Sequence, residues 1–326
     1  MILCRTAVLE PVQHVTEHPN TEAEAIALRN VSKRYGQRTA VEALNLQVTR
    51  GEVLGFLGPN GAGKTTTIRL LTGFLRPTSG TVALLGYDMS RPREAQQARQ
   101  ALGFVPDVAG LDPADTGERL LNDLARLQRQ PTNDRERIAA ALDLDPGDLK
   151  RPLGTLSRGT RQKINIIQGL QHQPALLILD EPTEGLDPLG KHALFEVLRA
   201  ARERGTTIFF SSHVLSEVEE LCDRVALIRR GRLVAVDRIA DLRQQLQRRV
   251  TLQLSTTADI REQLAALPGI SELALVDDRW HFQVAELEPL LRLLVQHPVR
   301  DLTIEPPSLA DVFLQYYHSG DTPDAA

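Results

Sequence analysis

The stretch Gly58-Pro59-Asn60-Gly61-Ala62-Gly63-Lys64-Thr65 has the residue types and the spacing of a phosphate cradle. Gly-x4-Gly-Lys-Thr lets backbone fold around an oxyanion, because glycine tolerates positive φ and keeps Cβ atoms out of the ligand's way. Lys64 is placed to reach the β- and γ-phosphates of a triphosphate and Thr65 to set its hydroxyl on Mg²⁺, with the positive end of a following helix aimed at the same charge. The plainer alternative is a Gly-rich turn with a surface lysine. Asp180-Glu181 closes an apolar run, Ala175 to Leu179, at the strand end where open α/β sheets present ligands. Beside a Lys-Thr phosphate loop, Asp180 suits a water on Mg²⁺, and Glu181 suits accepting a proton from, or polarising, an attacking water. Acidic capping of the next helix explains one of the two carboxylates and leaves the other without a reason.

Other candidates are weaker alone. His213 follows the strand-like run Thr206 to Phe210, on the sheet edge shared with Lys64 and Glu181; it is a structural donor or a γ-phosphate contact. Tyr35, in a turn upstream of the cradle, is half-buried packing or a platform for a purine. Ser157 is a plausible N-cap and Gly159 leaves amides open at a helix start, a plain cap or a weak anion site. Asp107 ends a short strand that stops at Pro106, which sets a carboxylate in a loop.

The elements that must position these residues read as an α/β arrangement. A leader, 1–25, precedes an α/β domain over 26–237, with strands on either side of Lys33 to Gly36 and buried strands before the cradle, Asp180 and His213. Residues from about 87 to 160 turn Leu-, Ala- and Arg-rich at helical spacing, a helical insertion. A linker helix over 238–249 leads to 250–318, whose pattern β-α-β-β-α-β suggests a small ferredoxin-like α+β domain with Trp280 in its core. A helix opening at Ser308-x-x-Asp311 and a disordered tail over 319–326 complete the reading.

With 326 residues, 42% hydrophobic, the chain is long enough for one large and one smaller domain. A net charge of −4 gives no electrostatic reason to expect nucleic acid as a partner. Two cysteines, Cys4 and Cys222, fit a reducing compartment, and Cys222 lies on an apolar stripe. No run approaches the roughly 18 apolar residues that span a bilayer. A guanine-reading Asn-Lys-x-Asp segment is also missing, which argues against a GTP switch.

Taken in order, Tyr35, Gly58 to Thr65, Asp107, Leu156 to Gln162, Leu176 to Glu181, Leu186-Asp187 and His213 resemble the ATP-binding subunits of ABC transporters. Pro307 to Phe313 and the small C-terminal domain further resemble the branch serving ABC-2 type bacterial export permeases. The resemblance implies a P-loop NTPase cassette that hydrolyses Mg·ATP. Tyr35 would stack on adenine, Gly58 through Thr66 would bind phosphates and Mg²⁺, Asp180 would assist the metal, Glu181 would be the catalytic carboxylate, and His213 would contact the γ-phosphate. Ser157 and Gly159, within Leu156 to Thr160, would complete the site of a second ATP-binding subunit, identical or related, and Asp187 would cross that interface. Asp107 stands where the family usually has Gln, implying contact with the metal through water. Arg158 replaces a glycine of Ser-Gly-Gly-Gln and adds a cation beside the triphosphate. Such a subunit would sit at the inner face of the cell membrane on a separate permease; a soluble regulatory ATPase without a permease is the alternative.

Overall fold

The computed structural model describes residues 24–107, 111–128, 134–245, 247–255 and 260–305. In chain order, β1 (Glu24–Tyr35) and β2 (Arg38–Thr49) pair antiparallel, β3 (Val53–Leu57) leads into α1 (Lys64–Leu71), and β4 (Ser79–Leu84) and β5 (Tyr87–Asp88) follow. Next come α2 (Pro92–Gln100), β6 (Leu102–Val105), α3 (Gly117–Gln128), α4 (Arg135–Ala141), α5 (Arg158–Leu170) and β7 (Leu176–Asp180). The first unit ends with α6 (Pro188–Glu203), β8 (Thr207–Ser212), α7 (Leu215–Leu221), β9 (Arg224–Arg229), β10 (Arg232–Arg238) and α8 (Ile239–Gln245). Glu24 and Ala25, read from sequence as leader, already belong to β1, where Ala25 is fully buried. The tail helix from Ser308 and the tail over 319–326 lie outside the described residues.

A six-stranded sheet, in the order β10-β9-β3-β8-β7-β6, organises this unit, with β9, β3, β8, β7 and β6 parallel. Every residue of β3, β7 and β8 is buried, as expected for central strands covered on both faces. Side-chain alternation divides them between two cores: Val53, Leu177 and Phe210 enter one, and Leu54, Ile178 and Phe209 the other. The second core is closed by α1 and by the four-stranded sheet β2-β1-β4-β5. Among the described residues no helix is long and apolar enough to cross a membrane.

Beyond α8, β11 (Arg248–Leu254), α9 (Arg261–Ala265), β12 (Ile270–Val276), β13 (Arg279–Val284), α10 (Leu287–Leu294) and β14 (Val299–Glu305) form a separate sheet in the order β12-β13-β11-β14. All its pairings are antiparallel. Val250, Leu252, Trp280, Phe282 and Leu290 make its core.

Candidate active site

Strand register converges the candidates. Leu57 at the end of β3 pairs with Ser212 of β8, and Ser211 pairs with Asp180 of β7, so the next residues along each strand emerge side by side at one sheet edge. Gly58 N–H donates to Ser212 O at 3.4 Å and Glu181 N–H to Ser211 O at 3.2 Å, extending the ladder past the strand ends. Gly63, at φ 112, is the N-cap of α1, a conformation that L side chains rarely adopt, and it turns the chain from loop to helix. Thr65 and Thr66 occupy the first turn of that helix, with Thr65 exposed.

Within this edge Lys64 is buried and donates from Nζ to Gly58 O at 2.5 Å and Pro59 O at 3.3 Å. Its ammonium also lies 3.2 Å from Glu181 Oε1, an ion-pair distance without hydrogen-bond alignment, so this buried oxygen has no hydrogen-bond partner. Glu181 Oε2 meets His213 Nδ1 at 2.8 Å, where the Nδ1–H tautomer donates to the carboxylate. Glu181 itself sits at φ 48, a left-handed conformation that costs a non-glycine residue energy and that clusters at active sites. Asp180 is 4% exposed and accepts from Ser211 Oγ at 3.2 Å. Burial pushes its carboxyl above the ordinary carboxylate value, while the Thr65 and Ser211 hydroxyls and Lys64 pull it back.

This donor set fits a magnesium nucleotide. An ammonium whose hydrogen bonds go to its own loop's carbonyls, a hydroxyl beside a buried aspartate, and a carboxylate oxygen lacking a hydrogen-bond partner are groups that gain partners when phosphate, metal and water arrive. Asp107 is largely exposed and lines, with Thr65, Asp180, Gln168 and Phe74, a cavity of 760 Å³.

The remaining candidates are placed differently. Tyr35 is the last residue of β1 rather than a turn residue, 48% exposed, with Lys33 Nζ 5.3 Å from its ring centroid. Ser157 caps α5 by accepting from Thr160 N–H at 3.0 Å, and Gly159 is half-buried against Gly185 O. Asp187 caps α6, accepting from Gly190 N–H at 2.6 Å. Arg158 departs from the expectation of a cation free for a triphosphate. It pairs with Glu184 of its own chain, packs its stem on Gly185, and lies 3.9 Å from Asp107. Glu184 went unnoticed in the sequence although it stands four residues after Asp180; with Glu181 and His213 it forms a cluster whose ligating atoms lie within 4.8 Å. Thr183, Ser212 and Glu217, bonded together behind the site, were missed as well.

Comparison with known proteins agrees with this geometry. Residues 41–184 match the family model described as ABC transporter, and 238–317 match that of the ATP-binding protein DrrA1-3-like C-terminal domain. The chain is 35% identical to the Nod factor export ATP-binding protein I of Burkholderia orbicola, covering 89% of this chain and 96% of that protein. It is 34% identical to the linearmycin resistance ATP-binding protein LnrL of Bacillus subtilis, covering 84% and 86% respectively. A solved ATP-binding subunit of an ABC transporter superposes with a TM-score of 0.62 at 29% identity, over 68% of this chain and 92% of that one. A dimeric ATP-binding cassette bound to ADP and Pi matches at a TM-score of 0.59 over 66% of this chain and 98% of its own, and at 22% identity it speaks for the fold alone. The chain therefore belongs to the ATP-binding subunits of ABC transporters, and is an ATPase built on a P-loop cassette.

Proposed function

We infer that the protein energises an exporter: two ATP-binding subunits close on two Mg·ATP molecules, hydrolyse them, and drive a separate ABC-2 type membrane permease. The observation that carries this reading is the grip on Glu181, held between Lys64 and His213 at the edge where the phosphate loop begins. Lys64 exchanges its loop carbonyls for the β- and γ-phosphates, and the α1 amides face the same charge. Bound at Thr65 and Asp180, with Asp107 reaching it through water, Mg²⁺ would neutralise charge on those phosphates. Glu181 takes the proton of the attacking water, while His213 orients that carboxylate and contacts the γ-phosphate. Tyr35, exposed at the end of β1, offers its ring to adenine.

Ser157 is exposed and Gly159 half-buried, and their contacts within the chain are with α5 and residue 185, which suits a lid for the site of a second subunit. Export is supported by relatives named for Nod factor export, linearmycin resistance and bacitracin transport, and the ABC-2 assignment by the DrrA-like C-terminal match. Such a subunit works at the inner face of the membrane. Sedimentation of the Glu181→Gln variant tests the closure: with saturating Mg·ATP it is expected to run as a dimer and to return to monomer with ADP. A strictly monomeric variant at saturating ATP overturns the reading.

A further inference from the structure

We propose that Glu217 is a positioning residue for hydrolysis, a buried brace that fixes the spacing of Glu181 and His213. Glu217 lies on α7, is 5% exposed, and reaches the sheet edge only through side chains behind the reacting groups. Its Oε2 accepts from Ser212 Oγ at 2.8 Å and from Thr183 Oγ1 at 2.9 Å, and its Oε1 accepts from Lys191 Nζ at 2.9 Å. The two hydroxyls belong to the two segments that carry the reacting groups. Thr183 follows Glu181 by two residues and Ser212 directly precedes His213. One carboxylate oxygen therefore ties the loop after β7 to the end of β8, beside the 2.8 Å contact between Glu181 and His213.

Three further features make the brace stiff. Thr183 is 3% and Ser212 0% exposed, so neither hydroxyl can trade Glu217 for water. Ser212 Oγ also accepts from Val214 N–H at 2.9 Å, which fixes the start of the segment that contains His213. The position of α7 is set from beneath by Gly55 of β3, where an added Cβ would come within 2.4 Å of Val218 and 3.0 Å of the Cys222 sulfur. Three donors converge on this side chain, and a carboxyl group meets them with acceptors at both of its oxygens. A buried charge this well partnered needs a reason beyond packing, since an apolar residue of similar volume would hold the helix at no desolvation cost.

This inference rests on the roles given to Glu181 and His213, and the experiment separates the two. Glu217→Leu removes all three bonds and keeps the volume, Glu217→Gln keeps the shape and gives up one acceptor, and Ser212→Ala and Thr183→Val remove the donors singly. Steady-state ATP hydrolysis is measured alongside nucleotide affinity and thermal unfolding, with rates expressed per folded molecule. A displacement of about 1 Å at a reacting group costs roughly 100-fold in rate, so Glu217→Leu is expected to lower kcat by at least about 10-fold with KM for ATP unchanged. The Ser212 and Thr183 changes are expected to lower kcat alone and to add nothing in the Glu217→Leu background, because they act through the same bonds. Should Glu217→Leu not fold, the same kcat-without-KM pattern is read from Glu217→Gln. A normal kcat in folded Glu217 variants, or losses that simply add, overturns the brace. Wild-type turnover that survives Glu181→Gln would instead sink the site assignment and leave the brace without an object.

Discussion

The nucleotide cassette buries polar side chains beside its two apolar cores, whereas the C-terminal unit has an apolar interior alone. In the cassette, Lys64, Asp180, Thr183, Ser211, Ser212 and Glu217 are all under 7% exposed, and they gather behind or at one edge of the parallel sheet. Among the described residues of the C-terminal unit no polar or charged side chain is buried; its interior is Val250, Leu252, Trp280, Phe282 and their aliphatic neighbours. Burying a polar group costs free energy unless it is fully bonded, so each of these groups needs partners within the fold. Among the described residues buried polar side chains are confined to the cassette, which also carries the candidate catalytic groups.

The strongest way to break this contrast is to remove one central side chain from each region. Lys64→Ala is expected to cut ATP hydrolysis by at least about 100-fold, the scale of losing a positioned electrostatic donor, while the thermal midpoint stays close to wild type. Trp280→Ala is expected to do the reverse: it destabilises the C-terminal unit by about 3–5 kcal/mol in denaturant titration, with hydrolysis per folded molecule unchanged. A large loss of turnover in Trp280→Ala would mean that the two units are coupled in catalysis and that the contrast is false.

Asp134 sharpens the comparison, because it is a buried polar residue of the cassette away from the sheet edge. Its carboxylate accepts from Arg137 Nη2 at 2.9 Å and Arg204 Nη2 at 3.0 Å, tying α4 to the end of α6. The hydrogen bond from Arg137 holds its carboxyl below the ordinary value of 3.8. The stabilisation is therefore present above that pH and is lost as the pH falls through the lower, folded-state value. Asp134→Asn is expected to cost about 1–2 kcal/mol at neutral pH, with the gap to wild type closing in acid and with kcat unchanged. Urea titrations at neutral pH and below pH 3.8 check both parts.

Much of this was legible from the chain alone, and the reason is locality. Gly58 to Thr65 and Asp180-Glu181 are contiguous, and each sits at the end of an apolar run whose length and composition declare a buried strand. The β-α-β-β-α-β order of the C-terminal unit was likewise written in short alternating segments. Glu217 and Glu184 left no such trace. Glu217 is bound to Thr183 and Lys191, 34 and 26 residues away, as well as to nearby Ser212, and Glu184 is bound to Arg158, 26 residues away; a lone acidic residue has the same local signature as a solvated one. Arg158 was read as an added cation for phosphate because sequence displays its charge and hides the acid that neutralises it.

That pairing sets the smallest expected effect. Arg158 and Glu184 are 52% and 38% exposed at their side chains, so their ion pair contributes about 0–1 kcal/mol to stability. Its consequence is positional: it lashes the start of α5, with Ser157 as its cap, to the loop after β7, and Asp107 lies within 3.9 Å of the same guanidinium. Arg158→Glu places like charges together and is expected to lower ATP hydrolysis by about 3-fold with little change in unfolding midpoint, while adding Glu184→Arg restores the rate. If the doubly reversed protein is slower than the single variant, the arginine acts on the nucleotide itself. The polarity of the pair, and not merely its presence, would then belong to the chemistry of the cassette.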